Sequence, residues 1–173
     1  MNSQDIILGM LMKNTLSGYD IKQNFEQLFS FFYDASYGTI YPTLSKMEAA
    51  GYITKEVVVQ EGKPNKNMYS ITDHGVKVFQ AYLSSSLEAD LLRSDLLMRL
   101  YFGEFTDKDT IMGWLEADIA EVSGMVSRLE TNFEVWRNGM SPTQELGFRI
   151  GIKSFKQRIQ LLNEFAEQLK ELN

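Results

Sequence analysis

The run Ala35-Ser36-Tyr37-Gly38-Thr39-Ile40-Tyr41-Pro42-Thr43-Leu44-Ser45-Lys46-Met47-Glu48-Ala49-Ala50-Gly51 carries the outline of one helix, with a start and a stop written into it. Ser36 is a good N-cap, because its side-chain oxygen can accept from an orphan backbone N–H one turn on. Gly51 can take the left-handed conformation that closes a helix. Between them Ile40, Leu44 and Met47 fall at i, i+4 and i+7, one apolar stripe for a core. The opposite arc holds Gly38, Pro42, Ser45, Lys46 and Ala49, with Thr39 at its edge and Tyr41 to the side. These front residues are small, polar or basic, and none is acidic. A helix buried at the back and uncharged-to-basic in front can lie close against a large polyanion. The run reads as a DNA-recognition helix.

Working outward, Ile6, Ile7, Met10 and Leu11 predict a short helix starting near Ser3. Thr15-Leu16-Ser17-Gly18 interrupts it. Ser17-Gly18-Tyr19-Asp20 then has the form of a capping box, with Asp where Glu is usual. A second helix follows, with Ile21, Phe25 and Leu28 on one face and Lys22 and Glu26 as a charged pair. The aromatic cluster Phe29 to Tyr33 leads into the quoted run, so three helices make a helix-turn-helix core. Past Gly51 the period changes. Tyr52 to Val59 is rich in β-branched residues and predicts a strand; Gln60 to Asn67 is a polar turn; Met68 to Ile71 is the returning strand. Thr72-Asp73 caps another helix through about Ser86. The order is that of a winged helix-turn-helix, with Lys63 and Lys66 near the wing tip beside Asn65 and Asn67. Such side chains can reach phosphates or minor-groove edges. The residues expected to touch DNA are Ser36, Gly38, Thr39, Tyr41, Pro42, Ser45 and Lys46 on the helix, and Lys63, Asn65 and Lys66 on the wing.

Three separated motifs then fall in order: Gly18-Tyr19-Asp20-Ile21; Ser36-x-Gly38-Thr39-Ile40-Tyr41-Pro42-x-Leu44-x-Lys46-Met47-Glu48-x-x-Gly51; and Gly62-x-Pro64-x-Lys66-x-x-Tyr69-x-Ile71-Thr72-x-x-Gly75. Over roughly residues 4–82 the chain resembles the PadR family of transcriptional regulators. The resemblance implies a homodimer that binds double-stranded operator DNA through a winged helix-turn-helix, mostly as a repressor. Relatives in the family include sensors of phenolic acids and hydrophobic drugs, which implies release by a small aromatic or hydrophobic effector. The family's wing is often arginine-rich between the Pro and the Tyr; here Asn65, Lys66 and Asn67 keep one cation.

In the other half, Leu87 to Phe102 reads helical, with Leu92, Leu96 and Leu100 in step. Gly103 to Asp107 is a break, and Thr106 or Asp107 can cap the next helix. That helix runs to about Arg137, with Ile111, Leu115, Ile119, Val122, Val126, Leu129, Phe133 and Trp136 recurring every three or four residues. Asn138 to Pro142 is a turn. In the last helix Phe148, Ile152, Phe155, Ile159, Leu162, Ala166 and Leu169 keep a heptad spacing. Leu161, Phe165 and Leu172 add a second apolar flank. The seam is expected to pack on the preceding helix and on a partner chain, with Phe148, Ile152, Phe155, Ile159, Leu162 and Leu169 at the dimer interface. This half resembles the helical C-terminal domain of the larger, virulence-activator-like PadR proteins. The expected fold is mainly α with a small β-hairpin: a winged helix-turn-helix over 1–86, then an all-α dimerisation domain over 87–173.

Composition narrows the alternatives. A chain of 173 residues, 44% apolar and 23% charged, suits a soluble globular protein of one large or two small domains. No apolar run approaches the ~20 residues of a membrane span, and no secretory signal is visible at the start. The absence of cysteine excludes disulfides and fits a cytoplasmic protein. A net charge of −6 disfavours DNA binding. However, residues 1–86 carry a net of only −1 and residues 87–173 a net of −5. The acidic balance and the lysine-thin wing motivate an alternative, a ligand-sensing or protein-interaction module with weak DNA binding.

Catalysis finds no constellation to support it. His74 is the only histidine and has no cysteine or second histidine to join in a metal site. Serines are plentiful, but no nucleophile elbow marks one. Glu116, Asp118 and Glu121 read as a solvated helix face. No glycine-rich phosphate loop is present, and Gly147-x-x-x-Gly151 suits close helix approach. The expectation is a protein that is not an enzyme, with no cofactor and no metal. Trp114, Phe133 and Trp136, with the Phe29–Tyr33 cluster, read either as core or as the lining of an aromatic pocket between the halves.

Overall fold

The computed structural model describes residues 1–29, 33, 39–59, 65–90 and 93–171. The chain forms two compact units, Met1–Asp90 and Leu91–Asn173. In the first, α1 (Ser3–Leu11) opens on a reciprocal cap. Asn2 Oδ1 accepts from the Asp5 amide at 3.1 Å, and Asp5 Oδ2 accepts from the Asn2 amide at 2.8 Å. Next come β1 (Leu16–Ser17) and α2 (Gly18–Asn24), which runs on into a π-type turn over Phe25–Phe29. Helix α3 (Ile40–Ala49) is the described part of the recognition run. Ser36, expected to cap it, lies outside the described residues, and the cap position is corrected to Thr39, directly before Ile40; the Thr39 side chain makes no capping bond. Gly51 closes the segment at φ 72°, the left-handed conformation that its lack of a Cβ permits. Strands β2 (Ile53–Val58) and β3 (Lys66–Ile71) and helix α4 (Asp73–Leu83) complete the unit.

The expected two-stranded hairpin is a three-stranded antiparallel sheet in the order β1-β3-β2, with β3 central. Leu16 lies opposite Tyr69 and Ser17 opposite Met68. The added strand has a local cause. An N-cap residue is typically extended, and Ser17, capping α2 at φ −79° and ψ 161°, offers strand backbone beside β3. Two residues are too few to show a period, so the sequence reading sees only an interruption there.

The predicted apolar stripe of α3 is the centre of this unit. Ile40, Leu44 and Met47 have no exposed surface and pack among Ile7, Leu8, Leu11, Ile21, Phe25, Ile53 and Tyr69. Burying a side chain of this size is worth about 1.5–3 kcal/mol. Helix α4 is tied to the sheet by Thr72. Its hydroxyl donates to the Gly51 carbonyl at 2.7 Å and accepts from the Gly75 amide at 3.1 Å.

The described residues of the second unit form helices joined by short turns. Helix α5 is Asp95–Tyr101, capped by Ser94, whose hydroxyl accepts from the Leu97 amide at 3.2 Å. The expected helix from Leu87 is thus corrected: residues 87–90 and 93–94 are not helical, and Leu92 lies outside the described residues. Ser94 supplies the cap and Asp95 the first-turn negative charge. Leucine spacing upstream has no such start signal. A 3₁₀ turn over Gly103–Phe105 leads to α6 (Lys108–Trp136), capped by Asp107 through the Thr110 amide at 2.7 Å. A second such turn, Arg137–Gly139, joins it to α7 (Pro142–Glu171).

Helices α6 and α7 pack along each other, and the heptad seam supplies much of that contact. Ile152, Leu162 and Ala166 are buried within the single chain. Leu162, Ala166 and Leu169 join Leu96 and Leu115 in one core cluster. Phe148 stacks on Phe133, with centroids 6.2 Å apart, and meets Trp136 edge-on at 6.0 Å. Phe155 and Ile159 are half-buried. The seam named as a dimer interface is therefore engaged largely inside the chain, while Leu146, Ile150, Leu161 and Phe165 are exposed. A Cβ on Gly147 would meet nothing within 4 Å, so no helix of the same chain comes close there. Among the described residues no helix is long and apolar enough to cross a membrane.

Candidate nucleic-acid interface

Helix α3 turns its other side outward. Tyr41, Pro42, Ser45, Lys46 and Ala49 are exposed, as is Thr39 just before the helix. The helix's single acid, Glu48, is turned to Lys55 on β2, with Oε2 3.1 Å from Nζ. Among the described residues no acid pairs with Lys46. The outward surface is neutral to basic, as its spacing predicts. Ser36 and Gly38, expected on the same surface, lie outside the described residues.

Tyr41 rests against its neighbours on one side. A Cβ on Gly18 would come within 2.9 Å of Tyr41 Cε1, so the ring lies directly over the start of α2. About half of the side chain, 52%, stays exposed. Tyr69 sits behind it, with its hydroxyl pushed up from the ordinary tyrosine range by burial. Tyr69 is core, not contact.

The wing is only partly within view. Lys63 lies outside the described residues, Asn65 is exposed, and Lys66 is half-exposed. Lys66 opens β3 and places Nζ 3.3 Å from Asp20 Oδ2 at the first turn of α2. The same oxygen accepts from the Ser17 hydroxyl at 2.7 Å and the Ser17 amide at 3.1 Å. The Ser17 hydroxyl, then its amide and Lys66, hold the Asp20 carboxyl below its ordinary value of 3.8, against a smaller opposing effect of burial. Sequence reasoning treated Lys66 as a free cation and Asp20 as a cap alone. No local pattern could join them, because the pairing of β1 with β3 is what brings them together.

The remaining candidates settle into structural places. His74 is exposed, with its ring edge-on to Tyr52 at 4.9 Å. Asp118 is not simply solvated. Arg158 Nε and Nη2 donate to its carboxylate at 2.8–3.1 Å and bind α7 to α6. The aromatics divide between two cores. Phe29 and Tyr33 pack with Phe25 in the first unit. In the second, Phe133 and Trp136 pack with Phe148, and Trp114 lies under the Arg99 guanidinium at 5.5 Å. The intervening residues 30–32 lie outside the described residues.

A family model described as "Transcriptional regulator PadR-like family" matches residues 7–81. The chain is 40% identical to a PadR-like transcriptional regulator from Bacillus cereus, over 99% of this chain and 100% of that one, with a TM-score of 0.90. It is 28% identical over 129 residues to the negative transcriptional regulator PadR of Bacillus subtilis, covering 74% of this chain and 71% of the relative. Crystal structures of that relative in complex with operator DNA and with p-coumaric acid have TM-scores of 0.84 and 0.78 at 24% and 22% identity. Each covers 96% of this chain and 98% of that one. At that identity the likeness is one of fold.

Proposed function

The chain belongs to the PadR-like family of transcriptional regulators, and on that premise we propose that it is a homodimeric repressor gripping a palindromic operator in the cytoplasm. The observation that carries this reading is the outward face of α3: exposed Tyr41, Pro42, Ser45 and Lys46 over a fully buried Ile40, Leu44 and Met47. In the reading, Ser36, Gly38, Thr39, Tyr41, Pro42, Ser45 and Lys46 line the major groove, while Lys63 and Asn65 bring the wing to the adjacent backbone and Lys66 stands at its root. Residues 1–86 hold seven lysines and no arginine. The bidentate Arg–guanine contact is thus absent from this half. Sequence is read at close approach, with Ser45 and Tyr41 foremost, and lysines position the helix.

The negative regulation named for the Bacillus subtilis relative supports repression. A second copy is assigned to the apolar trough of about 850 Å³ between α5 and α7, bordered by Leu97, Leu100, Leu161, Phe165 and Leu169. Leu97, Leu161 and Phe165 are exposed there in a single chain. In a two-fold dimer the paired α3 helices would read half-sites about one helical turn, roughly 34–36 Å, apart. Release by a small aromatic or hydrophobic effector follows the relative solved with p-coumaric acid.

The test is binding to fragments upstream of the chain's own gene, titrated against salt. Wild type is expected to select a palindromic fragment, and Lys46→Gln to lower the slope of log affinity against log salt by about 0.9, one phosphate contact. Adding p-coumaric acid or bulkier phenols is expected to weaken the complex. Sequence-indifferent binding to every fragment would sink the operator reading.

A further inference from the structure

Three side chains at the root of the wing form one connected device. Ser17 both ends β1 and caps α2, and through its hydroxyl and amide it donates twice to Asp20 Oδ2. Lys66 brings its ammonium to the same oxygen. Its place along β3 matters. Strand β1 supports β3 only at Met68 and Tyr69. Beyond Met68, towards the tip, β3 has β2 as its only strand neighbour among the described residues, with Lys66 opposite Val58. A two-stranded ribbon is marginal without further support. The Asp20–Lys66 pair lies on that stretch and extends the hold of the body on the wing by two residues beyond the last β1 partner.

We infer that Asp20 is a positioning residue for the wing: it binds Lys66 as a pin to α2 and withdraws that lysine from the cations that grip DNA phosphate. Asp20 is suited to this because its two Ser17 donors favour the ionised carboxylate, so the lysine faces a full negative charge. The pair as a whole presents no net charge to a DNA backbone. A phosphate would have to displace a carboxylate already 3.3 Å away. Counterion release on binding should then count Lys46 and the tip lysine Lys63, and omit Lys66. The inference rests on the hairpin acting as the wing, so Lys63→Gln serves as the control for that reading.

The experiment is the salt dependence of operator binding for the full-length protein and four variants, with melting curves confirming that each is folded. Lys63→Gln is expected to lower the slope by about 0.9. Lys66→Gln is expected to leave the slope at the wild-type value while weakening specific binding by about two- to fivefold, the scale of an exposed ion pair. Asp20→Asn retains an acceptor for the cap, frees the lysine, and is expected to steepen the slope by about 0.9. Asp20→Asn/Lys66→Gln is expected to return it to wild type. A drop of about 0.9 for Lys66→Gln alone would place that lysine on phosphate and overturn the inference, as would an unchanged slope for Asp20→Asn. If Lys63→Gln changes nothing, the wing reading itself fails and the pin falls with it. Should Asp20→Asn not fold, Lys66→Gln decides by itself, since it leaves the cap untouched.

Discussion

A methyl group on Gly18 would lie 2.9 Å from Tyr41 Cε1, whereas one on Gly75 would lie 2.2 Å from the backbone oxygen of Tyr52. The two clashes have different outcomes. Tyr41 is half-exposed and its ring can swing aside, so Gly18→Ala should leave the melting temperature unchanged or slightly raised, alanine being the better helix former. Operator affinity should nevertheless fall, because the ring leaves its place on the DNA face; a melt and a binding titration on one preparation separate the two effects. Tyr52 O cannot move without breaking the link that Thr72 makes there. Gly75→Ala should therefore cost more than about 2 kcal/mol in a urea titration, at the severe end for overpacking. Asp20 adds a pH dependence. Its folded-state value lies below 3.8, so its contribution is present above 3.8 and is lost as pH falls through the lower folded value. Asp20→Asn should accordingly lose less stability than wild type on acidification across that range, read as the shift in urea midpoint.

At the scale of the element, α3 separates holding from reading along a single helix. Leu44→Ala removes a fully buried side chain and should cost about 2–5 kcal/mol. Ser45→Ala, one residue on and exposed, should stay within about 0.5 kcal/mol of wild-type stability while losing operator discrimination. Competition between matched and mismatched duplexes would detect that loss. This helix was legible because a stripe at helical spacing and a glycine stop both act locally, the stop at Gly51 lying just past the last residue of the helix. The Ser17–Asp20 cap was legible for the same reason, since both partners lie within one turn. What escaped the sequence depends on partners far along the chain. Strand β1 exists only because β3 lies beside it, and Lys66 looks like a free wing cation until that pairing delivers Asp20. The expected helix over Leu87–Phe102 failed differently. Leucine spacing continued through a stretch with no cap, and Ser94 then set the start. The heptad seam of α7 was visible as a pattern, but a pattern does not say which helix fills it. Here α6 does.

For the whole molecule, the exposed flank of α7 and the buried seam beside it should respond oppositely to the same charge. Leu161→Asp/Phe165→Asp should keep its helical content and sediment as a monomer. Leu162→Asp, which buries an unpaired charge in the α5–α6–α7 core, should unfold the second unit. A double variant that remains dimeric would move the interface off this flank. The topology of the first unit also carries a consequence in time. Thr15 and Ser70, 55 residues apart, are joined through their hydroxyls at 2.7 Å beside the pairing of Leu16 with Tyr69. Closing so long a loop is an entropic cost that local helix formation does not meet. Helices α1 to α3 can therefore form as the chain leaves the ribosome, yet β1 has no partner until β3 emerges. A nascent chain that stops short of Met68 would hold its recognition helix without a rooted wing, so competence to bind an operator should arrive late in synthesis and all at once.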